Sequence, residues 1–401
     1  MSLGKRFLLC KEELGNDSQK GECLYNVCPY PSTYANVRPI FLIRDLIRVF
    51  DSWKNVGWTD AQSLIDCYTN NFGMLHRASS HAVSYLVYER LIQEPQTEVE
   101  RICRTIYCEK KPLGLFTTLE ASSSVEREVP HHGLLSNSEK DNIEERVGLL
   151  YLSCWQDDIL RLRNLLAEKT WIGFDLDDTL HEFRRSSGTA TNKVLEEISE
   201  RYGTPMHALR GEYSRVLKAK TANAFSEGKT SFDYPRERFT SVLAHFSLPQ
   251  DDQFMAELLE SYEVTLMKSL ELKRGALDLL SMIKDMGKKI VVITEGPQDA
   301  QERTIQGLGI EGYIDFLATT NHFGVAKTAG LFPRVLEHLG VPSGDIAYVG
   351  DNEQRDMKPA LAEGIFSFHF AEIKHISLNT IPPQINTLRK LQYILSNDCH
   401  L

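Results

Sequence analysis

The sequence predicts an α/β protein: a doubly wound parallel Rossmann-like sheet with an inserted helical bundle and an additional, mostly helical N-terminal domain. Two observations indicate this fold. Short apolar runs alternate with amphipathic helical patterns between Gly275 and Phe370, as in parallel sheets joined by crossover helices. An earlier apolar run, Trp171–Phe174, is followed by three closely spaced carboxylates, which indicates polar groups at the carboxyl end of a buried strand.

Length and charge limit the classes of function. The chain has 401 residues, enough for two or three domains with their own cores. Its net charge of −10 and the lack of a long basic run argue against nucleic acid as a partner. The N-terminal apolar run is too short for a signal peptide, and no apolar stretch approaches the length of a membrane span. We therefore expect a cytoplasmic protein with no membrane partner.

Seven of the eight cysteines precede the acid-rich strand. Without a secretory signal, free thiols are expected rather than a disulfide framework. The pairs Cys23/Cys28 and Cys103/Cys108 have four-residue spacers, and His131 and His132 follow downstream. These spacers are at the long end for a zinc site, so whether the N-terminal cysteines bind a metal stays open.

Residues 1–152 are predicted to form the N-terminal domain, in which a polar arm of about 35 residues precedes several helices. The predicted helices are Val37–Trp53, Thr59–Gly73, Ser80–Ile92, Glu98–Tyr107 and Glu139–Tyr151. No motif with a chemical mechanism occurs here, and His76 and His81 are interpreted as surface or packed residues. We interpret the region as a packing, docking or oligomerisation module, through which a homo-oligomer could form or a protein partner could bind, in preference to a second active site.

Residues 153–180 and 270–401 are predicted to form the α/β core, and residues 181–269 the helical insertion. The predicted strands are Trp171–Phe174, Lys289–Thr294, Phe316–Thr319, Asp345–Gly350 and Ile365–Phe370. After a polar, hairpin-like exit at Glu182–Ser187, the predicted insertion helices are Thr191–Tyr202, Pro205–Ala222, Asp233–Phe246 and Asp252–Ser269. The predicted core helices are Gln156–Glu168, Gly275–Met286, Pro297–Leu308, Thr328–Leu339 and Glu353–Glu363, and a turn and a closing helix are expected within Pro382–Leu395.

The acidic residues after the first core strand suggest a catalytic site. Side chains alternate along an extended chain, so Asp175 and Asp177 are expected to face the same way just past the strand. A buried carboxylate must be paired, hydrogen-bonded or bound to a metal. Two convergent carboxylates at this place suit a nucleophile and a general acid/base, with a hard cation to keep them ionised.

The pattern apolar-apolar-Asp-x-Asp-x-Thr at Gly173–Thr179 resembles the first motif of the haloacid dehalogenase superfamily of phosphotransferases. Three further matches follow in the family's order, each after a predicted strand: Thr294 before Gly296, Lys327 before a helix, and Gly350-Asp351 with Asp356 five residues later. The insertion matches the family's cap in position, length and helical character. The resemblance covers residues 171 to about 371 and does not extend to the N-terminal region.

The resemblance implies roles for these residues. Asp175 resembles the nucleophile that forms an aspartyl-phosphate, and Asp177 resembles the general acid/base, which a dehalogenase lacks. A hydroxyl and backbone N–H groups at Thr294 and Gly296 can bind phosphate oxygens at a helix N-terminus. Lys327 resembles the lysine that neutralises both the phosphate and the nucleophile.

The resemblance also implies a Mg²⁺ site, in which Asp175, Asp351 and the backbone carbonyl of Asp177 bind the ion. Asp356 is expected to act through water or by orienting Lys327. The sequence departs from the family pattern at two places: Glu295 stands where many members have Asn, and Thr328 where many have Pro. The first departure puts a side-chain phosphate contact from this position in doubt.

The implied function is a Mg²⁺-dependent phosphatase that hydrolyses a small phosphomonoester metabolite through an aspartyl-phosphate. Two alternatives stay open. A phosphomutase would use the same residues and return the phosphoryl group to a sugar. A non-catalytic scaffold would act through the N-terminal helical domain, although every acid named above and Lys327 are present.

Overall fold

The structure of the protein is a computed structural model that describes residues 40–55, 57, 59–62, 65–66, 69, 84–105, 134–220, 231–372 and 374–396. The predictions for the N-terminal arm and for His76 and His81 lie outside these residues, as do the zinc candidates Cys23, Cys28 and Cys108. Cys154 is buried. Among the described helices, none is both long enough and apolar enough to cross a bilayer.

The chain divides into two units, and each has its own described core. One consists of Met1–Asp158 with His375–Asn379 and Cys399–Leu401, and the other of Ile159–Lys374 with Thr380–Asp398. The division at Asp158 lies six residues after Leu152, the end of the predicted N-terminal domain. The predicted domain bounds stay predictions.

The first unit contains a strand pair that the sequence analysis assigned to helices. The strands β1 (Ile40–Ile43) and β2 (Ser84–Val87) pair in parallel. The predictions of helix at the start of Val37–Trp53 and of Ser80–Ile92 are therefore wrong at these positions. Both strands are short apolar runs, and periodicity alone does not separate such a strand from a buried helical segment.

The rest of the described first unit is helical. Its α-helices are α1 (Leu46–Asn55), α2 (Tyr88–Gln93), α3 (Pro95–Thr105), α4 (Asn137–Ile143) and α5 (Leu149–Ser153), with a π-helical turn at Glu144–Gly148 between the last two. Phe50, Val147 and Trp155 are fully buried and anchor its core. The helix α6 (Gln156–Ala167) leads into the second unit.

The second unit is built on a parallel sheet, as predicted, and this sheet has six strands over the described residues. Its strands are β3 (Trp171–Phe174), β4 (Lys289–Thr294), β5 (Phe316–Thr319), β6 (Ile346–Gly350), β7 (Phe366–Phe370) and β8 (Gln384–Ile385). Their order in space is β5-β4-β3-β6-β7-β8. The tail strand β8 is an addition to the prediction, because two residues are too short to show a period.

Register brings the ends of three strands together. Trp171 of β3 pairs with Lys289 of β4 on one side and with Ile346 of β6 on the other. The chain therefore leaves the central strand toward one edge of the sheet and later returns to its other side. This is a topological switch point, where ligands bind in open α/β sheets.

Helices cover the sheet close to where the sequence predicts them. They are α11 (Ala276–Asp285), α12 (Gln298–Gly307), α13 (Thr320–Phe323), α14 (Leu331–Leu339), α15 (Lys358–Ala362) and α16 (Leu388–Leu395), together with a π-helical turn at Glu353–Met357. On one face, Phe332 and Val335 of α14 pack with Ile293 and Tyr348 of the sheet in a single apolar cluster. The burial of these side chains between helix and sheet holds the strand ends in place.

Over its described residues, the insertion forms a cap of four helices. Its helices are α7 (Phe183–Tyr202), α8 (Met206–Lys220), α9 (Asp233–His245) and α10 (Asp252–Lys268). They enclose their own apolar core, in which Val194, Phe239 and Leu258 are fully buried. The first helix begins at Phe183, so the predicted polar hairpin at Glu182–Ser187 is wrong over most of its length.

Two chain segments join the cap to the sheet. Glu182 N–H donates to the carbonyl of Glu271 at 2.9 Å, and Lys273 N–H donates to the carbonyl of Leu180 at 2.8 Å. The buried ammonium of Lys273 lies 2.7 Å from a carboxylate oxygen of Glu182 and 2.7 Å from one of Glu372. These bonds hold the cap over the strand ends.

Candidate active site

The centre of the site is a buried ammonium between two carboxylates. Lys327 is 3 % exposed. Its Nζ lies 2.5 Å from Oδ1 of Asp175, 2.5 Å from Oδ1 of Asp356 and 3.0 Å from the hydroxyl of Tyr348. Burial by itself lowers the pKa of Lys327, but the two carboxylates outweigh burial and raise this pKa above its ordinary value. The lysine is therefore a fixed positive charge and not a solvated surface residue.

Asp175 directly follows β3, and its backbone N–H donates to the carbonyl of Val349 at 2.9 Å. This bond extends the pairing with β6 by one residue and sets the carboxylate at the sheet edge. Burial raises the pKa of Asp175, and the adjacent ammonium of Lys327 opposes that shift. Among the described residues, hydrogen bonds reach only Oδ1 of this carboxylate, which leaves Oδ2 for a ligand or a reacting group.

Gly350 explains the spacing of the last motif. A Cβ at this position would lie 2.6 Å from Cγ of Asp356, so a side chain would displace the aspartate. Asp356 instead packs over the glycine, accepts from Asn352 N–H at 3.0 Å and pairs with Lys327. Both oxygens of Asp356 are thus engaged, as expected of a residue that orients the lysine.

A second acidic group lies beside the first. Asp351 and Asp178 are joined by Arg184 at the start of the cap, whose guanidinium lies 3.1 Å from a carboxylate oxygen of each. Asp178 adopts φ of 60° and also accepts from Arg184 N–H at 3.0 Å, which ties the turn to the helix. Burial, followed by the charge of Asp356, raises the pKa of Asp351 to about 6. Bringing these acids together is electrostatically costly without a cation.

Asp177 lines the cavity of the site and is held from two directions. Its Oδ1 lies 2.9 Å from Nε2 of His181, which is fully buried. Its Oδ2 accepts from the amide of Gln301 at 3.4 Å. The carboxylate therefore has a fixed orientation while its side chain stays 22 % exposed, as a group that exchanges protons with a substrate requires.

The end of β4 offers an unpaired hydroxyl. Thr294 is fully buried, and its Oγ1 has no hydrogen-bond partner among the described residues although it lines the cavity of the site. Gly296 differs from the expectation of a free N–H, because its N–H donates to Oγ1 of Thr320 at 3.1 Å. The unsatisfied donor here is thus the threonine hydroxyl. Such a buried group is costly unless a ligand pairs with it.

Glu295, where the sequence departs from the family pattern, supports the lysine loop. Its carboxylate accepts from the backbone N–H of Lys327 at 3.1 Å and from the guanidinium of Arg355 at 3.2 Å. The side chain therefore holds protein groups, which accounts for the carboxylate at this position without a contact to phosphate.

The strand ends and the cap enclose a cavity of about 690 Å³. Asp175, Asp177, Thr294, Lys327 and Asp351 line its core side, together with Gly296 and Asp356. All of the predicted site residues thus meet in one place, within the second unit. The volume falls in the range of small-molecule sites.

The donor set fits a hard divalent cation. Asp175, Asp351 and Asp356 each have a carboxylate oxygen within 4.8 Å of the others. Both oxygens of Asp356 accept from the protein, whereas the described residues bond to one oxygen of Asp175 and one of Asp351. Asp175 and Asp351 are therefore the carboxylates left for a metal. Oxygen ligands of this kind, few in number, suit Mg²⁺. The part expected of the Asp177 carbonyl stays a prediction.

The sequence patterns do not predict several residues that belong to the site. Tyr348 donates to Asp356 at 2.8 Å and contacts Lys327, and a phenol in an otherwise apolar buried strand requires such a partner. His181 lies four residues after Asp177, a spacing that gives a signal only once the turn is known. Gln301, Arg184 and Arg355 belong to helices whose distance from the acids no local pattern encodes.

Comparison with known proteins adds a family match and several relatives. A family model described as haloacid dehalogenase-like hydrolase matches residues 170–364. A glyceraldehyde 3-phosphate phosphatase from Methanocaldococcus jannaschii is 25% identical over 229 residues, which cover 56% of this chain and 96% of that protein. The pyrimidine 5'-nucleotidase YjjG from Escherichia coli is 25% identical over 197 residues, 49% of this chain and 83% of that protein.

Solved structures resemble the same part of the chain. The HAD hydrolase YfnB from Bacillus subtilis, bound to magnesium, superposes with a TM-score of 0.45 and 22% identity over 57% of this chain and 98% of that chain. A HAD phosphatase from Thermococcus onnurineus gives a TM-score of 0.44 and 23% identity over 57% of this chain and 99% of that chain.

Proposed function

Because residues 170–364 form a haloacid dehalogenase-like hydrolase domain, we propose that the protein is a Mg²⁺-dependent phosphatase that hydrolyses a small phosphomonoester through an aspartyl-phosphate. Relatives named as phosphatases, among them a phosphoserine phosphatase from Thermus thermophilus at 24% identity, support a hydrolase of phosphomonoesters. The substrate, the metal and the residue roles below are parts of the proposal.

One arrangement carries the proposal: the buried Lys327 beside Asp175, with the unpaired hydroxyl of Thr294 in the same cavity. Phosphoryl transfer requires mainly positioning and neutralisation of charge. The ammonium and the hydroxyl supply a positive charge and a donor for phosphate oxygens, and the free oxygen of Asp175 supplies the nucleophile.

In the first step, a carboxylate oxygen of Asp175 attacks phosphorus, and the bond from phosphorus to the leaving oxygen breaks. Asp177 gives its proton to that oxygen. In the second step Asp177 takes a proton from water, the water oxygen bonds to phosphorus, and the acyl-phosphate bond to Asp175 breaks to release phosphate. His181 and Gln301 keep Asp177 oriented through both steps.

Asp175, Asp351 and the carbonyl of Asp177 would hold the Mg²⁺, and Asp356 would orient Lys327. When bound, the ion neutralises charge on the phosphoryl group. The cation would also stabilise the ionised form of Asp351, whose pKa is about 6 in its absence.

The substrate class follows from the cavity: a small phosphorylated metabolite, since about 690 Å³ holds a leaving group of modest size. A phosphomutase would use the same residues, and transfer of the phosphoryl group to a sugar instead of water would distinguish it. A scaffold role is disfavoured by the convergence of the acids and Lys327 on one cavity. A cytoplasmic location and a partner for the N-terminal region stay predictions.

The test is phosphate release from p-nitrophenyl phosphate by the full chain with and without Mg²⁺. We expect a chelator to abolish release and Mg²⁺ to restore it. Ca²⁺ should fail to restore it, because its larger shell lets Asp175 bind with both oxygens. Full activity in excess chelator would contradict the proposed metal site.

A further inference from the structure

The cap side of the cavity carries positive charge that the steps above do not use. Arg238 in α9 lines the cavity and is half-buried. Within the described part of the chain, its guanidinium has no hydrogen-bond acceptor and no ion-pair partner. The other arginine on α9, Arg236, is exposed, and a carboxylate oxygen of Asp252 lies 3.8 Å from its guanidinium.

A buried phenol lies close to this guanidinium. Tyr262 of α10 is 7 % exposed and lines the same cavity, and within the described residues its hydroxyl forms no hydrogen bond. Burial, followed by the nearby Tyr213, raises the pKa of this hydroxyl, while the positive charge of Arg238 lowers it. The hydroxyl therefore stays protonated and is a donor. A buried donor and a half-buried cation without partners indicate a ligand group that accepts a hydrogen bond from the donor and supplies a negative charge to the cation.

Neighbouring groups do not compete for Arg238. Glu263, the residue next to Tyr262, also lines the cavity, but it accepts from the guanidinium of Arg303 at 2.9 Å. Tyr213 lines the cavity as well and accepts from the hydroxyl of Thr191 at 3.3 Å, which leaves its own proton for an acceptor. Arg238, Tyr262 and Tyr213 thus form a wall of donors, and Glu263 beside them is already paired with Arg303.

Arg238 and Tyr262 line the same cavity as Asp177, the proposed general acid. The charge of Asp177 contributes to the raised pKa of Tyr262, so this phenol lies within electrostatic range of the proposed general acid. A group bonded to Tyr262 and Arg238 would therefore belong to the part of the substrate that leaves with the protonated oxygen.

We propose that Arg238 and Tyr262 form a subsite for a second anionic group, a carboxylate or a second phosphate, on the leaving portion of the substrate. This inference rests on the proposed phosphatase function and narrows its substrate class to phosphomonoesters that carry a second negative charge. A neutral hydroxyl would satisfy Tyr262 but would leave the guanidinium without a counter-charge.

Matched substrate pairs test the subsite in the unmodified full chain with Mg²⁺. The pairs are meta-carboxyphenyl phosphate with phenyl phosphate, phosphoserine with phosphoethanolamine, and a sugar bisphosphate with its monophosphate. We expect the anionic member of at least one pair to have a kcat/KM higher by roughly 10- to 100-fold. The first two pairs report a carboxylate and the third a phosphate.

Substitutions of Arg238 and Tyr262 test whether these residues cause the preference for the anionic substrates. Arg238→Met should reduce the preference to near unity while phenyl phosphate hydrolysis changes little, and Tyr262→Phe should reduce it in part. Arg236→Met, on the same helix, should keep it. The inference is overturned if no pair favours its anionic member, if the preference survives Arg238→Met, or if that variant loses both members equally. Absence of phosphate release from phenyl phosphate would instead contradict the proposed function itself.

Discussion

Glu89 in the first unit and Asp175 in the second are both buried carboxylates, with 4 % and 5 % exposure, but their bonding differs. Both oxygens of Glu89 are satisfied by the protein: one accepts from Asp45 N–H at 3.0 Å and the other from the hydroxyl of Tyr151 at 2.8 Å. Asp175 accepts from the described residues at one oxygen, and its other oxygen is left at a cavity.

The difference shows that a buried charge indicates function only when the protein leaves part of its bonding capacity open. A saturated carboxylate such as Glu89 holds two elements together. A group such as Asp175 or Thr294 is buried with one of its hydrogen bonds missing, which is unfavourable. The rest of the fold holds the group in place, and a ligand supplies the missing bond. The comparison predicts that substitutions in the two places will separate activity from stability.

The largest effect is expected for Asp175→Asn. The amide keeps the shape and an acceptor for Lys327 but cannot act as the nucleophile, so phosphate release should fall by roughly 10⁵- to 10⁶-fold. The midpoint of thermal unfolding should change little, since Asp356 still pairs with the lysine. Near-native phosphate release by this variant would refute the proposed nucleophile.

Asp177→Asn should lose the proton for the leaving oxygen, at a cost of roughly 10²- to 10⁴-fold in kcat on an alkyl phosphate. The loss should be much smaller on p-nitrophenyl phosphate, whose leaving group needs no proton. Steady-state kinetics on both esters provide the measurement. Equal losses on the two substrates would contradict the acid role.

A threonine pair tests the unsatisfied hydroxyl. Thr294→Val removes a buried donor that lacks a described partner, so kcat/KM should fall by roughly 10- to 100-fold while stability is kept or improved. Thr319 ends the neighbouring strand and is equally buried, but it donates to Gln298 at 2.6 Å and accepts from His322 N–H at 3.0 Å.

Thr319→Val should therefore cost about 1–3 kcal/mol of unfolding free energy, because it leaves buried partners unpaired. Its kcat/KM should stay closer to the original than that of Thr294→Val. Thermal or urea unfolding and kinetics of the two variants decide this. If Thr294→Val is the less stable of the two and keeps its activity, its hydroxyl is structural.

The smallest effect is expected from Glu89→Gln. Burial, followed by the charge of Asp45, raises the pKa of Glu89 above its ordinary 4.5 in the folded state. An acid with a raised folded pKa contributes its stability below pH 4.5, and that contribution is lost as the pH rises through the folded value. The glutamine variant, which does not ionise, should thus gain on the original protein by a few degrees of unfolding midpoint as the pH rises above 4.5.

The measurement is the midpoint of thermal unfolding of both proteins across this pH range. Phosphate release by Glu89→Gln should match that of the original protein, since the described residues that line the cavity all lie in the second unit. A difference in midpoint that does not vary with pH would show that Glu89 is not buried as an acid.

The parallel sheet and the convergence of its polar strand ends could be predicted from the amino-acid sequence alone. Apolar runs such as Lys289–Thr294 are bounded by turn residues and alternate with helices, and carboxyl ends of parallel strands meet at one edge. The meeting of Asp175, Thr294, Lys327 and Asp351 at one cavity follows from order along the chain and needs no knowledge of side-chain contacts.

The surroundings of those groups depend on contacts that exist only in the folded chain. Several features join residues that are far apart in the chain. Examples are the pairing of Ile40–Ile43 with Ser84–Val87, the Tyr348 hydroxyl beside Lys327, and the exposure of Arg238 to the cavity. Local periodicity encodes whether a residue is buried and on which face, but not its partner across an interface. Those partners determine which buried groups are left without a hydrogen bond or an ion pair. The candidate subsite in the cap could therefore be found only in the folded chain.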